Sequence, residues 1–348
     1  MPKTRSKSKS KSKTTSKSKT KSKVRKNKKT HKRNNKQRRT YKRKHHGVNT
    51  PYDKRKCAPK RPGELNDYTC YTNDSLIYLK ELWNSQNPTN KITEVSPKKI
   101  HRKLVILLKD TCNDELCWIK QLEKNNHTDG ITTSTSSLNL SDNFKPYYPN
   151  KWHLNPNEWL SNLNIDAVMS QYEKAYGCFE FIGPTPIDFD SRDTSTLDDK
   201  CVCSKMCTFS LKSRLDAHKT KIGIIFNTHP HCKTGEHWIS LFINIKKREI
   251  FFYDSVGNKM PKEVDSFIKR ICKQGKELTQ PIHFKVDSNE DVEHQRGDTE
   301  CGMYSLFFII HMLIDKLTPT YIKTHVFTDD YIQTFRKKLF NYEKIYGV

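Results

Sequence analysis

The 348-residue sequence predicts a chain that mixes helices with strands, and three observations carry that expectation. Residues 238–245 (Trp-Ile-Ser-Leu-Phe-Ile-Asn-Ile) and 249–254 (Glu-Ile-Phe-Phe-Tyr-Asp) are apolar runs joined by the polar turn Lys246-Lys247-Arg248, the pattern of a strand hairpin. Gly302 through Ile314 is an apolar run too short and interrupted to span a membrane, and it fits a buried helix. Residues 64 to 124 carry apolar side chains at helical spacing behind capping residues.

The chain opens on a different kind of segment. Residues 1–50 hold 22 Lys or Arg and no Asp or Glu, which leaves 42 basic against 38 acidic residues for the remainder. Lys7 to Lys23 is a near-alternating Lys-Ser/Thr repeat, and denser clusters such as Arg25-Lys26-Asn27-Lys28-Lys29 and Lys42-Arg43-Lys44 follow. With almost no apolar residues, such a segment cannot offset its ordering entropy, so residues 1–60 are expected to be a disordered basic tail. Its uncompensated charge fits nucleic acid or another polyanion, bound by counterion release through residues 1–50 without sequence readout. A solubilising arm or a nuclear localisation signal would look much the same.

Residues 61–124 are expected to form a small helical module. Thr72 can cap a helix through Leu76-Ile77-Tyr78-Leu79, Ser96-Pro97 can start one through Ile100 to Leu108, and Asp114 through Leu122 makes a third. Lys98, Lys99, Arg102 and Lys103 suit either a binding module or a scaffold packed on the next domain. Residues 125–150, with Thr132-Thr133-Ser134-Thr135-Ser136-Ser137 and then Pro146 and Pro149, read as a linker. The main domain is expected over 151–348, with a helix from Asn155-Pro156 that Gly177 could end.

Four residues of that domain define a chemistry: His237 in Gly-Glu-His-Trp, Asp254 in Phe-Tyr-Asp-Ser, Gln295, and Cys301 in Glu-Cys-Gly. A cysteine attacks a carbonyl as thiolate, so it needs an imidazole to hold and return its proton and a carboxylate to orient that imidazole. His237 precedes one predicted strand and Asp254 ends the next, which puts both at one edge of a sheet. Cys301 at a helix N-terminus gains from the helix dipole. An amide donor six residues earlier, Gln295, could reach the oxyanion beside the backbone N–H of Cys301. Gly302 is expected to leave room for a substrate backbone. The competing imidazoles His229, His231 and His294, and the acids Asp287 and Asp298, lack the combination of strand edge and flanking Trp.

The order His-Trp, strand-end Asp, Gln, Cys-Gly resembles the Ulp1/adenain-like cysteine proteases over about residues 150 to 345, and Glu158-Trp159-Leu160 resembles the family's entry segment. Glu300 stands where many members have Asp, outside the four catalytic roles. The resemblance implies an α+β, papain-type fold with a central mixed sheet and the nucleophile on a core helix. It implies His237 as base, Asp254 as its orienting acid, Gln295 as oxyanion donor and Cys301 as nucleophile, and a glycine-selecting channel flanked by Trp238 and Trp159. The layout is similar to the maturation proteases of large DNA viruses, which implies cleavage of viral core or structural precursors after Gly, in the virion or virus factory. Cleavage of SUMO or ubiquitin-like conjugates, with a nuclear location, is the alternative. Acyl transfer and a nucleic-acid-binding structural protein with an inactive protease fold are two more.

Nothing in the sequence requires a cofactor, although a DNA or peptide activator stays open. Eleven cysteines, unevenly spaced and without a secretory signal, do not suggest a disulfide scaffold. Cys201, Cys203 and Cys207, with Cys178, Cys232, His229 and His231, could supply zinc ligands, but no Cys-x-x-Cys pair is present and reduced thiols are expected instead. No phosphate-cradling Gly loop and no membrane span occur.

Overall fold

Strands buried on both faces read as continuous apolar runs rather than alternating ones. The computed structural model, which describes residues 56–60, 68–123, 139–192 and 201–341, shows why this chain has them. Strands β1 (Phe179–Pro186), β2 (Lys221–Asn227), β3 (Trp238–Asn244), β4 (Glu249–Tyr253) and β5 (Lys285–Ser288) form one sheet in that spatial order. The outer pairs β1/β2 and β4/β5 are parallel, and β2/β3 and β3/β4 are antiparallel, so the sheet is mixed as expected. The described helices are α1 (Asn73–Gln86), α2 (Pro97–Leu108), α3 (Glu115–Glu123), α4 (Asn162–Ala175), α5 (Ser204–Cys207), α6 (Leu211–Asp216), α7 (Lys262–Lys276), α8 (Cys301–Leu313), α9 (Pro319–Thr324) and α10 (Asp329–Leu339).

Alternation along the strands sorts side chains between two cores. Phe242, Phe251 and Tyr253 face a cluster built by α4, α8 and α10, whereas Ile239, Leu241, Ile243, Ile250 and Phe252 face the opposite cluster. That second face is covered by α7, whose Val264, Phe267, Ile268 and Ile271 repeat at helical spacing. All thirteen residues of α8 are buried. Burial of each large apolar side chain stabilises by roughly 1.5–3 kcal/mol, so α8 is anchored along its whole length. Gly223 permits its approach, because a Cβ there would stand 2.7 Å from Ile309 Cγ2.

The predicted hairpin is β3 and β4, with Arg248 at positive φ in the turn and Asn244 Oδ1 accepting from the Lys247 N–H at 3.0 Å. In the module, Thr72 caps α1 by accepting from the Ser75 N–H at 3.1 Å, and Pro97 opens α2. Asp114 lies just outside α3 and accepts from the Cys117 N–H at 2.9 Å. Leu76, Leu79, Ile100, Leu104, Leu116 and Leu122 close a separate core.

Three expectations need correction. Residues 139–150 are packed rather than a linker: Leu140 and Phe144 enter the module core, Asn143 accepts from the Thr72 N–H at 3.1 Å, and Tyr148 packs edge-on against Trp152 in the main core. A few isolated apolar residues in a polar stretch suffice once each meets a formed core. Helix α4 begins at Asn162 instead of near Pro156, because Ser161 and Asn164 form a reciprocal capping box, and it ends at Ala175 with Tyr176 at the cap position. Six of the eleven cysteines are joined, as Cys57–Cys70, Cys112–Cys117 and Cys201–Cys207, with Cα atoms 4.9, 5.5 and 6.6 Å apart, because the fold brings together thiols that spacing alone does not pair. The expected basic tail up to residue 55 and the Thr/Ser run of 132–137 lie outside the described residues.

Candidate active site

The antiparallel pairing of β3 and β4 decides the first step of the site. The residue before β3 and the residue after β4 must fall at the same sheet edge, and these are His237 and Asp254. His237 Nε2 lies 2.7 Å from Asp254 Oδ1, which also accepts from the Val256 N–H at 3.0 Å. Asp254 is buried, and so is Asn289, which grips its backbone from both sides. Asn289 Oδ1 accepts from the Asp254 N–H at 2.9 Å and its Nδ2 donates to the Asp254 carbonyl at 2.7 Å.

Cys301 is the first residue of α8 and is 2 % exposed. It sits close enough to His237 to hydrogen-bond with it. Burial would lower the His237 pKa, but the hydrogen bonds to Asp254 and Cys301 and their charges outweigh it and raise the value to about 10. The arrangement therefore stabilises an imidazolium, with Nε2–H donating to Asp254 and the Cys301 sulfur beside the ring. The first N–H groups of α8 have no intrahelical acceptor, so the one on Cys301 is free to serve a ligand oxygen.

Gln295 is buried beside the same edge. Its Oε1 accepts from the Ser255 hydroxyl at 2.7 Å, and its Nε2 donates to the Gly297 carbonyl at 2.8 Å. A carbonyl can only accept, which sets the amide orientation and leaves one Nε2 hydrogen without a partner among the described residues. Trp238 is buried and donates from Nε1 to the Leu160 carbonyl at 3.0 Å, whereas Trp159 is 39 % exposed. Both line a cavity of about 480 Å³ whose walls also include Leu160, Pro184, Asn227 and Gly235. Gly302 is packed closely: a Cβ there would meet Leu160 Cβ at 2.8 Å. The glycine makes room for Leu160, which shapes the cavity wall.

Several of the competing residues pair with groups other than Cys301, although His229 and His231 line the same cavity. His229 pairs with Glu236 at 2.8 Å, His231 with Asp188 at 2.7 Å, and Asp287 with Lys323 at 2.5 Å. His294 is buried against Phe327, and burial pulls its pKa down to about 4. Among the described residues one cluster has the composition of a metal site, Asp190 with Cys201 and Cys207. Its two cysteines are joined to each other and Asp190 pairs with Arg270 at 2.6 Å, so the thiols expected to be free there are not. Cys203 is unjoined, as are Cys178, Cys232, Cys272 and Cys301.

Sequence reasoning missed Asn289, Ser255 and Asp329. None carries a local signal, because each acts on backbone or on a neighbour distant in the chain. Glu300, noted only as a departure, accepts from the Thr299 hydroxyl at 2.6 Å and from Gln333 Nε2 at 2.7 Å, which secures the residue leading into Cys301.

Known proteins carry similar sequences and folds. The chain is 26% identical over 274 residues to a thiol protease of Acanthamoeba polyphaga mimivirus, covering 74% of this chain and 84% of the relative. It is 25% identical over 267 residues to a SUMO-1 cysteine protease of African swine fever virus, covering 74% and 94%. The crystal structure of an African swine fever virus protease shares the fold, with a TM-score of 0.53 and 24% identity over 73% of this chain and 94% of that one. Residues 186–347, which include His237, Asp254, Gln295 and Cys301, match the C-terminal catalytic domain of the Ulp1 protease family. Over residues 186–347 the chain is therefore similar to Ulp1-family catalytic domains, and over about three quarters of its length it is similar to viral thiol proteases.

Proposed function

We propose that Cys301 is the nucleophile, His237 its base and acid, Asp254 the orienting group and Gln295 an oxyanion donor, in an endopeptidase that cuts viral core or structural precursor proteins after Gly. The observation that carries this reading is the buried Asp254 carboxylate 2.7 Å from His237, with Cys301 within hydrogen-bonding reach of the same ring. The thiolate adds to the scissile carbonyl, and the resulting oxyanion is met by the Cys301 N–H and the remaining Gln295 N–H. Imidazolium gives its proton to the leaving amine. A water deprotonated by the now neutral ring then hydrolyses the thioester and restores the pair. These residues supply every step, so we propose that no metal or organic cofactor is needed.

Glycine selectivity is supported by the two indoles, Trp159 and Trp238, that line the cavity next to the strand following His237. A viral precursor as substrate, acting in the virion or virus factory, is supported by the two viral relatives. We further propose that residues 1–50 hold the enzyme near nucleic acid or another polyanion. The second reading, a ubiquitin-like isopeptidase, is favoured by the name of the swine fever relative, a SUMO-1 cysteine protease.

Intact-mass labelling of the wild type and Cys301→Ser separates the readings. The probes are a Gly-Gly-aldehyde peptide and SUMO and ubiquitin vinyl sulfones. A peptide adduct dependent on Cys301 supports precursor cleavage, and an adduct with a whole modifier supports the isopeptidase. No adduct with any probe, with and without added DNA, would overturn the assignment of Cys301.

A further inference from the structure

Helix α10 carries Asp329, Gln333 and Arg336 at positions i, i+4 and i+7, one stripe of its surface. Each reaches a different segment of the active-site wall. Asp329 Oδ2 accepts from the backbone N–H of Arg296 at 3.1 Å and of Gly297 at 3.0 Å, and its Oδ1 accepts from the Tyr304 hydroxyl at 2.9 Å. Gln333 donates to Glu300, the residue before the nucleophile. Arg336, buried over the Trp152 ring, donates from Nη2 to the Glu158 carbonyl at 2.6 Å, next to Trp159.

We propose that α10 is the positioning element of this site, with Asp329 holding the loop that aims the Gln295 amide. The inference rests on the reading of Gln295 as oxyanion donor. Gln295 spends one N–H on the Gly297 carbonyl, so the direction of its second N–H follows the orientation of the backbone at Gly297. Asp329 holds the two peptide N–H groups leading into that residue with one carboxylate oxygen. Charge-assisted bonds of this kind are about twice as strong as neutral ones. The Tyr304 hydroxyl, from the nucleophile helix itself, fixes the other carboxylate oxygen, so the loop and α8 are registered to one group. Asp329 is thus a positioning residue: it acts on the reaction only through Gln295.

A double-mutant cycle of Asp329→Ala with Gln295→Ala tests this, read with a Gly-Gly-aminomethylcoumarin peptide or SUMO-aminomethylcoumarin, whichever the wild type turns over faster. Losing an oxyanion donor costs about 10²–10³ in kcat, so misaiming it through Asp329→Ala should cost roughly ten- to a hundredfold, with KM within about threefold. Cys301 alkylation by iodoacetamide should keep its rate, because the contact between Cys301 and His237 is untouched. Asp329→Asn, which retains one acceptor oxygen, should recover most of the turnover. In the Gln295→Ala background, Asp329→Ala should change kcat by less than about twofold. A full Asp329→Ala loss in that background would overturn the positioning role and leave the oxyanion reading standing. An unchanged kcat in Gln295→Ala alone would overturn both. If Asp329→Ala gives no cooperative melt, Tyr304→Phe enters the same cycle; a smaller loss that vanishes without the Gln295 amide supports the inference, and any other pattern overturns it.

Discussion

Replacing Asp254 by asparagine removes a charge from the His237 pair while keeping its shape. The Val256 N–H demands an oxygen at Oδ1, so the asparagine carbonyl should stay where the carboxylate oxygen accepts from both Val256 and His237 Nε2. What changes is the strength of the bond to the imidazolium. Hydrogen bonds to charged groups contribute about 1.5–3 kcal/mol against about 0.5–1.5 for neutral ones, a difference on the order of 1–2 kcal/mol. At about 1.4 kcal/mol per pKa unit, the imidazolium should lose its proton roughly one unit lower. His237 has its pKa raised to about 10, so the imidazolium persists below that pH and is lost as pH rises through it. The alkaline limb of kcat/KM, where the proton donor to the leaving amine disappears, should therefore move from near 10 in the wild type down to about 9 in Asp254→Asn. The assay is kcat/KM across pH 5 to 11 beside the iodoacetamide rate at Cys301. An alkaline limb that stays in place, or moves upward, would refute the argument that Asp254 holds the proton on the ring.

Three further outcomes follow from the geometry. Gly302→Ala should destabilise the fold by about 1–3 kcal/mol, because the new methyl meets Leu160 at 2.8 Å and must displace the wall that Trp238 bonds to; an unchanged Tm would mean the wall yields freely. His294 and His311 are buried neutral with pKa values drawn down to about 4 by desolvation, so their contribution to stability is present above pH 6.5 and is lost as pH falls toward 4. Denaturant midpoints at pH 7 and 5 should show the drop, and His311→Leu should make it shallower. Deleting residues 1–50 should flatten the salt dependence of DNA retention, whereas binding that survives the deletion would point to the Lys98, Lys99 and Arg102 surface of α2.

Much of the candidate site is legible in the sequence because its groups are chemically distinctive and sit at element boundaries. His237 borders Trp238 and an apolar strand, Asp254 ends another, and Cys301 opens an apolar helix, so periodicity alone places them. The edge strands are harder. In β1, Gly183, Pro184 and Pro186 argue against a strand, yet the sheet order puts β1 at an edge, where a residue without an N–H is tolerated, and the pairing slips between Ile182 and Thr185. At the other edge β5 is only Lys285–Ser288, too short and polar to show a period. The start of α4 was misplaced because Pro156 is a strong local signal, while the Ser161–Asn164 capping box is recognisable only once the helix exists.

By itself the sequence determined the candidate reacting groups, their order, the hairpin that brings His237 to Asp254, and the charge asymmetry that sets residues 1–50 apart. Those properties are local: side-chain chemistry, hydrophobic period and turn composition act over a few residues. Only the tertiary structure decided that Gly302 serves Leu160, that residues 139–150 belong to two cores, that Cys201 and Cys207 meet, and that Asn289 and Asp329 hold Asp254 and the Gln295 loop from 35 and 33 residues away. Those are hydrogen bonds and packing contacts between segments remote in the chain. They have no periodicity of their own and exist only after the hydrophobic cores on either side of the sheet have brought the segments together.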